Sequence, residues 1–152
     1  MGLIYLLDTN IISEPTKKIP NKNVLKKLQQ YNGQYAISSI TWHELNYGVD
    51  RMAKDKRKQL LQQYLHILET NQLIVLPYDK DAARWLAKER HRLISTGNTP
   101  AKEDSEIAAV AVTNKLKLAT RNTDDFKLFD DLIIENWFSD NCQVPQDHKR
   151  SF

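Results

Sequence analysis

Leu3-Ile4-Tyr5-Leu6-Leu7 runs without a polar residue into Asp8-Thr9-Asn10. Five consecutive apolar residues have the length of a strand. Continuous rather than alternating apolarity suits a strand covered on both faces, as in a parallel sheet. Such a strand ending abruptly in an aspartate places an acid at a strand's carboxyl end, where open α/β sheets bind their ligands.

Further along, Tyr35 to Ser38, Leu73 to Leu76, Leu116 to Thr120 and Leu132 to Ile134 read as four more short strands. Helical spacing separates them. Val24, Leu25, Leu28 and Tyr31 recur between Pro20 and Gly33, and Ser38-Ser39 opens a helix that fades near Gly48. Leu60, Leu61, Tyr64, Leu65 and Leu68 mark another helix with a basic start, and Ala82 to Ile94 a longer one. An alanine-rich helix is expected from about 102 to 115, and Arg121 to Asp125 as a polar turn. Strands alternating with helices predict a three-layer α/β/α sandwich around a mostly parallel sheet.

Composition narrows the chemistry. The 152 residues suit one domain, expected here over 1–138, with 139–152 as a loose polar tail. Cys142 is the sole cysteine and the four histidines are scattered, which argues against a thiolate or His-rich metal site. No apolar run approaches the roughly 20 residues needed to span a bilayer. The start shows no basic signal region, so a reducing cytoplasm is the expected setting. The 22 basic and 19 acidic residues leave a net charge of +3, which permits a polyanionic partner without demanding one. No glycine-rich phosphate loop, zincin helix or nucleophile elbow is present.

The acids carry the remaining signal. Asp8 follows one strand, Glu44 lies in a helix after another, and Glu103, Asp104 and Glu106 open a helix. Asp124 and Asp125 follow a further strand. Two carboxylates about 4 Å apart repel by about 4 kcal/mol at an effective dielectric near 20. A convergent set therefore calls for a cation, and carboxylate ligands suit Mg²⁺ or Mn²⁺. Each acid also has a plain structural reading. Asp8 is placed to cap a helix beginning at Asn10, and Thr41-Trp42-His43-Glu44 matches a capping box. Asp124 and Asp125 suit a turn. Glu103 and Asp104 both lie within about 60° of the apolar centre of their helix, so periodicity does not choose between them.

The order of motifs is more specific. Leu7-Asp8-Thr9-Asn10-Ile11-Ile12-Ser13-Glu14-Pro15 resembles the opening of the PIN-domain ribonucleases, especially the VapC and FitB toxins of type II toxin–antitoxin pairs. Ser38 to Gly48, Asp104-Ser105-Glu106-Ile107-Ala108-Ala109, Ala119 to Phe126 and Glu135-Asn136-Trp137 are similar to their later motifs, in the same order. The resemblance implies a PIN fold and a metal-dependent endoribonuclease acting on tRNA or another structured RNA. It implies Asp8, Glu44, Asp104 and Asp125 as catalytic and metal-binding residues for Mg²⁺ or Mn²⁺, with Asp104 preferred to Glu103. Asn122 stands where some members carry an aspartate, and Asp125 matches the acid of the others. Thr9, Asn10, Ser39, Thr120 and Asn122 are implied as hydrogen-bonding support. A cognate antitoxin and a homodimer are the implied partners. The competing expectations are a catalytically weak PIN module acting through its antitoxin and DNA, and a DNA-directed nuclease of the same metal chemistry.

Overall fold

The computed structural model describes residues 2–139. The expected tail lies, from residue 140 onward, outside the described residues, as does Cys142. Five strands form one sheet: β1 (Tyr5–Leu7), β2 (Tyr35–Ser38), β3 (Ile74–Leu76), β4 (Lys117–Ala119) and β5 (Ile134–Glu135). Their order is β3-β2-β1-β4-β5, and every pairing is parallel. The decisive N-terminal run thus supplies the central strand, with Tyr5 opposite both Tyr35 and Lys117.

Seven α-helices accompany the described strands: α1 (Thr9–Ile12), α2 (Lys22–Gln30), α3 (Ser39–Asp50), α4 (Lys56–Thr70), α5 (Lys80–Ser95), α6 (Lys102–Thr113) and α7 (Thr123–Phe126). Strand pleating sends successive side chains to opposite faces. Leu6, Ala36 and Leu118 therefore join one apolar cluster with Ala82, Leu93, Ile107 and Ala111 from α5 and α6. Tyr5, Leu7, Ile37 and Ala119 join a second, with Ile11, Ile12, Val24 and Trp137. Two cores on two faces make the expected three-layer sandwich, and both faces must be apolar, which is why the strands do not alternate.

Three local readings change. Asp131 adopts a left-handed conformation at φ 64°. The chain straightens only beyond it, so the last strand is Ile134–Glu135 rather than Leu132 to Ile134. Leu132 still fills the core while Ile133 is exposed. Glu135, left outside the expected strand, lies within it, and its buried carboxylate is paired with the Tyr5 hydroxyl at 2.9 Å and with Lys117 at 3.6 Å. The turn after β4 tightens into the four-residue α7, whose Phe126 anchors it in the core. The alanine-rich helix stops at Thr113, and Lys115 turns at φ 58° into β4.

Candidate active site

The parallel topology puts the ends of β1, β2 and β4 side by side, and the acids follow those ends. Asp8 is the N-cap of α1, which begins at Thr9. Its backbone N–H donates to Ala119 O at 2.9 Å, fastening the end of β1 to β4. Its carboxylate is almost enclosed, at 6% exposure. Oδ1 accepts from the Thr9 N–H at 2.8 Å, and Oδ2 accepts from the Thr120 hydroxyl at 2.7 Å and from Asn10 Nδ2 at 3.3 Å. Capping and site roles are thus combined in one side chain.

Asn10 does more than support Asp8. Its Oδ1 accepts from the Arg121 N–H at 3.0 Å, and the Asn122 N–H donates to Thr120 Oγ1 at 3.0 Å. The first bond stitches the loop after β4 to α1, and the second tightens that loop on itself. Thr9 reaches Thr41 through its hydroxyl at 3.5 Å. Ser39 accepts from the Tyr78 N–H at 3.3 Å, fixing the segment after β3 to the start of α3 rather than holding a carboxylate.

The capping-box reading of Glu44 does not hold. Ser38 is the N-cap of α3 and accepts from the Thr41 N–H at 3.1 Å. The helix therefore begins three residues earlier than that box requires. Glu44 lies beyond the first turn, partly buried, and owes nothing to helix initiation.

Electrostatics shows which acids share a site. Burial pushes the Asp8 carboxyl above its ordinary range, hydrogen bonds from Thr120, Thr9 and Asn10 counter it, and the charge of Asp125 adds to the rise. Glu44 is raised by burial first and then by Asp8, with Glu103 adding and Thr9 and His43 opposing. Asp104 is raised to about 6, by burial and then by the charges of Asp8, Asp125, Glu44 and Glu103. Asp8, Glu44, Asp104 and Asp125 therefore lie within one field, contributed by the N-cap of α1 and by α3, α6 and α7.

Neighbouring acids fall outside it or at its rim. Asp124 turns outward to Lys127 at 3.1 Å, whereas Asp125 faces the other carboxylates. Glu103 is exposed and Asp104 partly buried, which separates two positions that helical angle left tied. Periodicity gave no sign that Glu103 would still act on both Glu44 and Asp104. Among the described residues no three His, Cys, Asp or Glu side chains are gathered as a ready-made metal cage. The charges of the acids nevertheless act on one another.

A family model for the PIN domain matches residues 5–132. The chain belongs to the PIN-domain family. This PIN domain is 36% identical over 137 residues to VapC ribonuclease Y4jK of Sinorhizobium fredii, covering 88% of this chain and 98% of that protein. It is 35% identical to toxin FitB of Neisseria gonorrhoeae, covering 88% of this chain and 99% of the relative. Among solved structures it resembles FitAB bound to an IR36 DNA fragment, with a TM-score of 0.81 and 32% identity, covering 90% of this chain and 96% of that chain. PIN-domain ribonucleases generally use a divalent metal. None of the described helices of this PIN domain is long and apolar enough to cross a membrane.

Proposed function

We propose that this PIN domain is a Mg²⁺- or Mn²⁺-dependent endoribonuclease toxin of a bacterial toxin–antitoxin pair, cutting tRNA or another structured RNA. The observation that carries this reading is the position of Asp104, whose carboxyl is pushed to about 6 by burial and by four other acids. Carboxylates so placed fit a small, hard cation, which relieves the repulsion that the apoprotein bears. Relatives named as a VapC ribonuclease and as toxin FitB, and the resemblance to FitAB, support the ribonuclease, toxin and antitoxin-partner parts of the reading.

Asp8 and Asp104 are the residues assigned to hold the metal, with Asp125 completing the set and Glu44 at its edge. When bound, the metal lowers the pKa of water and neutralises charge on the phosphate being attacked. Glu44, with its carboxyl raised, is suited to accept a proton from the attacking water at its carboxylate oxygen. Thr120, Thr9 and Asn10 fix the Asp8 carboxylate so that its oxygens do not rotate away from the ion. Arg121, Lys54, Lys56, Arg57, Arg84 and Lys88 supply positive charge for the phosphate chain. In-line attack by water leaves 5′-phosphate and 3′-hydroxyl ends. Residues 1–138 form the catalytic domain, which acts as a homodimer, and a cognate antitoxin silences it by binding.

The test uses purified wild-type protein and Asp8→Asn with total tRNA and Mg²⁺, with and without EDTA. Cleavage by wild type alone, abolished by EDTA, is the expected result. Equal cleavage by both proteins, or cleavage indifferent to EDTA, overturns it.

A further inference from the structure

Against the first turn of α6, which carries Asp104, lies a cavity of about 370 Å³ that the reaction described above does not use. Tyr78, Leu86, Arg90, Lys102, Ser105 and Glu106 are among its lining residues. Its volume falls at the lower end of the roughly 300–1,000 Å³ usual for small-ligand pockets. The first turn of α6 forms a partition between the two. Lys102 and Glu106 each lie two residues from Asp104, roughly 200° around the helix, so the turn that carries Asp104 into the acid field presents its other side to the cavity.

Tyr78 ties the cavity to the same sheet edge. Its backbone N–H donates to Ser39 Oγ at 3.3 Å, at the start of the helix that carries Glu44. It follows β3, on the far side of β2 from Asp8. The phenol is partly buried, and burial followed by the charge of Glu106 pushes its pKa up. An aromatic ring, two cations and one carboxyl group therefore share a small apolar-walled space across the first turn of α6 from Asp104.

That combination matches one nucleotide of a single strand. An aromatic face stacks any base, Arg and Lys meet the phosphates, and a carboxylate accepts from an exocyclic amino group. We infer that this cavity is a base-binding subsite for a nucleotide flanking the scissile phosphate, with Tyr78 stacking the base and Glu106 selecting one that carries an amino group over uracil. The inference rests on the ribonuclease reading above and deepens it.

The test separates the two. Fluorescently labelled eight-nucleotide RNAs, cytidine- or uridine-rich, are titrated onto full-length Asp8→Asn protein, which retains substrate. Tyr78→Ala, Tyr78→Phe and Glu106→Gln are added to that background, and each is also made in active protein for cut-site mapping. Tyr78→Ala is expected to weaken binding about tenfold and Tyr78→Phe to restore it. Glu106→Gln is expected to erase the preference for cytidine over uridine and to broaden the cut sites. Wild-type cleavage together with unchanged affinity, KM and cut sites in all three variants overturns the subsite and leaves the ribonuclease reading standing. Weakened binding by Tyr78→Ala in a protein that cleaves no RNA supports the subsite and overturns the nuclease. A change of oligomeric state in Tyr78→Ala with RNA affinity unchanged assigns the cavity to a protein contact and overturns the inference.

Discussion

The Thr120 hydroxyl donates to Asp8 Oδ2 at 2.7 Å across 112 residues of sequence. It is the shortest side-chain bond to the acid and ties β4 to β1 at the point where the site begins. A hydrogen bond to the charged form of a carboxyl lowers its pKa. Thr120→Val keeps the shape and removes the donor, so Asp8 titrates higher. The acid limb of the pH–rate profile is expected to move to higher pH. An unmoved limb would show that Thr120 does not act through Asp8.

Asp8→Asn removes a buried charge while leaving an oxygen to accept from Thr9 or Thr120. RNA cleavage is expected to fall by about a thousandfold or more. The melting temperature is expected to stay the same or rise slightly, because the enclosed carboxylate is costly when ionised. Calorimetry beside the cleavage assay checks both; a fall of ten degrees would mark Asp8 as chiefly structural.

Asp104 links the site to stability. Its folded pKa of about 6 lies above its ordinary 3.8. An acid raised on folding binds its proton more tightly in the native state. Stability therefore falls as pH rises through the window from about 4 to about 6, then levels off. Asp104→Asn is expected to gain about 1–2 kcal/mol at pH 7.5, discounted for the partial exposure of the group, or a few degrees in Tm. The gain should vanish near pH 4. A pH-independent difference would contradict the shared field.

Divalent metal should act on the same repulsion from outside. Millimolar Mg²⁺ or Mn²⁺ is expected to raise the Tm of wild-type protein at pH 7.5 and not of Asp104→Asn or Asp8→Asn. EDTA should return the wild type to its starting value. Equal shifts in all three proteins, read by differential scanning fluorimetry, would place the metal elsewhere.

Helix initiation and catalysis can be separated at α3. Ser38→Ala removes the oxygen that accepts from the Thr41 N–H and should cost about 1 kcal/mol. Glu44→Ala should cause no loss of Tm at pH 7.5, since its ionised form is penalised by burial and by Asp8, yet it should slow cleavage strongly. A stability loss in Glu44→Ala matching that of Ser38→Ala would restore the capping role.

Apolar runs made most of the fold readable. Tyr35 to Ser38 is observed as read, and Leu3 to Leu7 contains β1, because strands covered on both faces carry their burial in plain composition. Glu135 was illegible: its carboxylate is buried through Tyr5, a residue 130 positions away, and no local pattern records that pairing. The site divided similarly. Asp8 announced itself at a strand end, while the choice of Asp104 over Glu103 needed the resemblance, since helical angle alone did not separate them. Asn10 offered no sign that it bridges to Arg121, because that bond depends on β1 and β4 being neighbours.

That adjacency also sets a timetable for synthesis. Asp8 is made well ahead of its partner, at the end of the strand destined for the centre of the sheet. Its partner strand β4 and the Thr120 hydroxyl come more than a hundred residues later. Until then the β4 side of β1 has no neighbour, and the acids already made cannot be gathered by it. A chain stalled before Lys117 would carry Asp8, Glu44 and Asp104 without the strand that fastens Asp8 in place. The site is assembled only after β4 has been made.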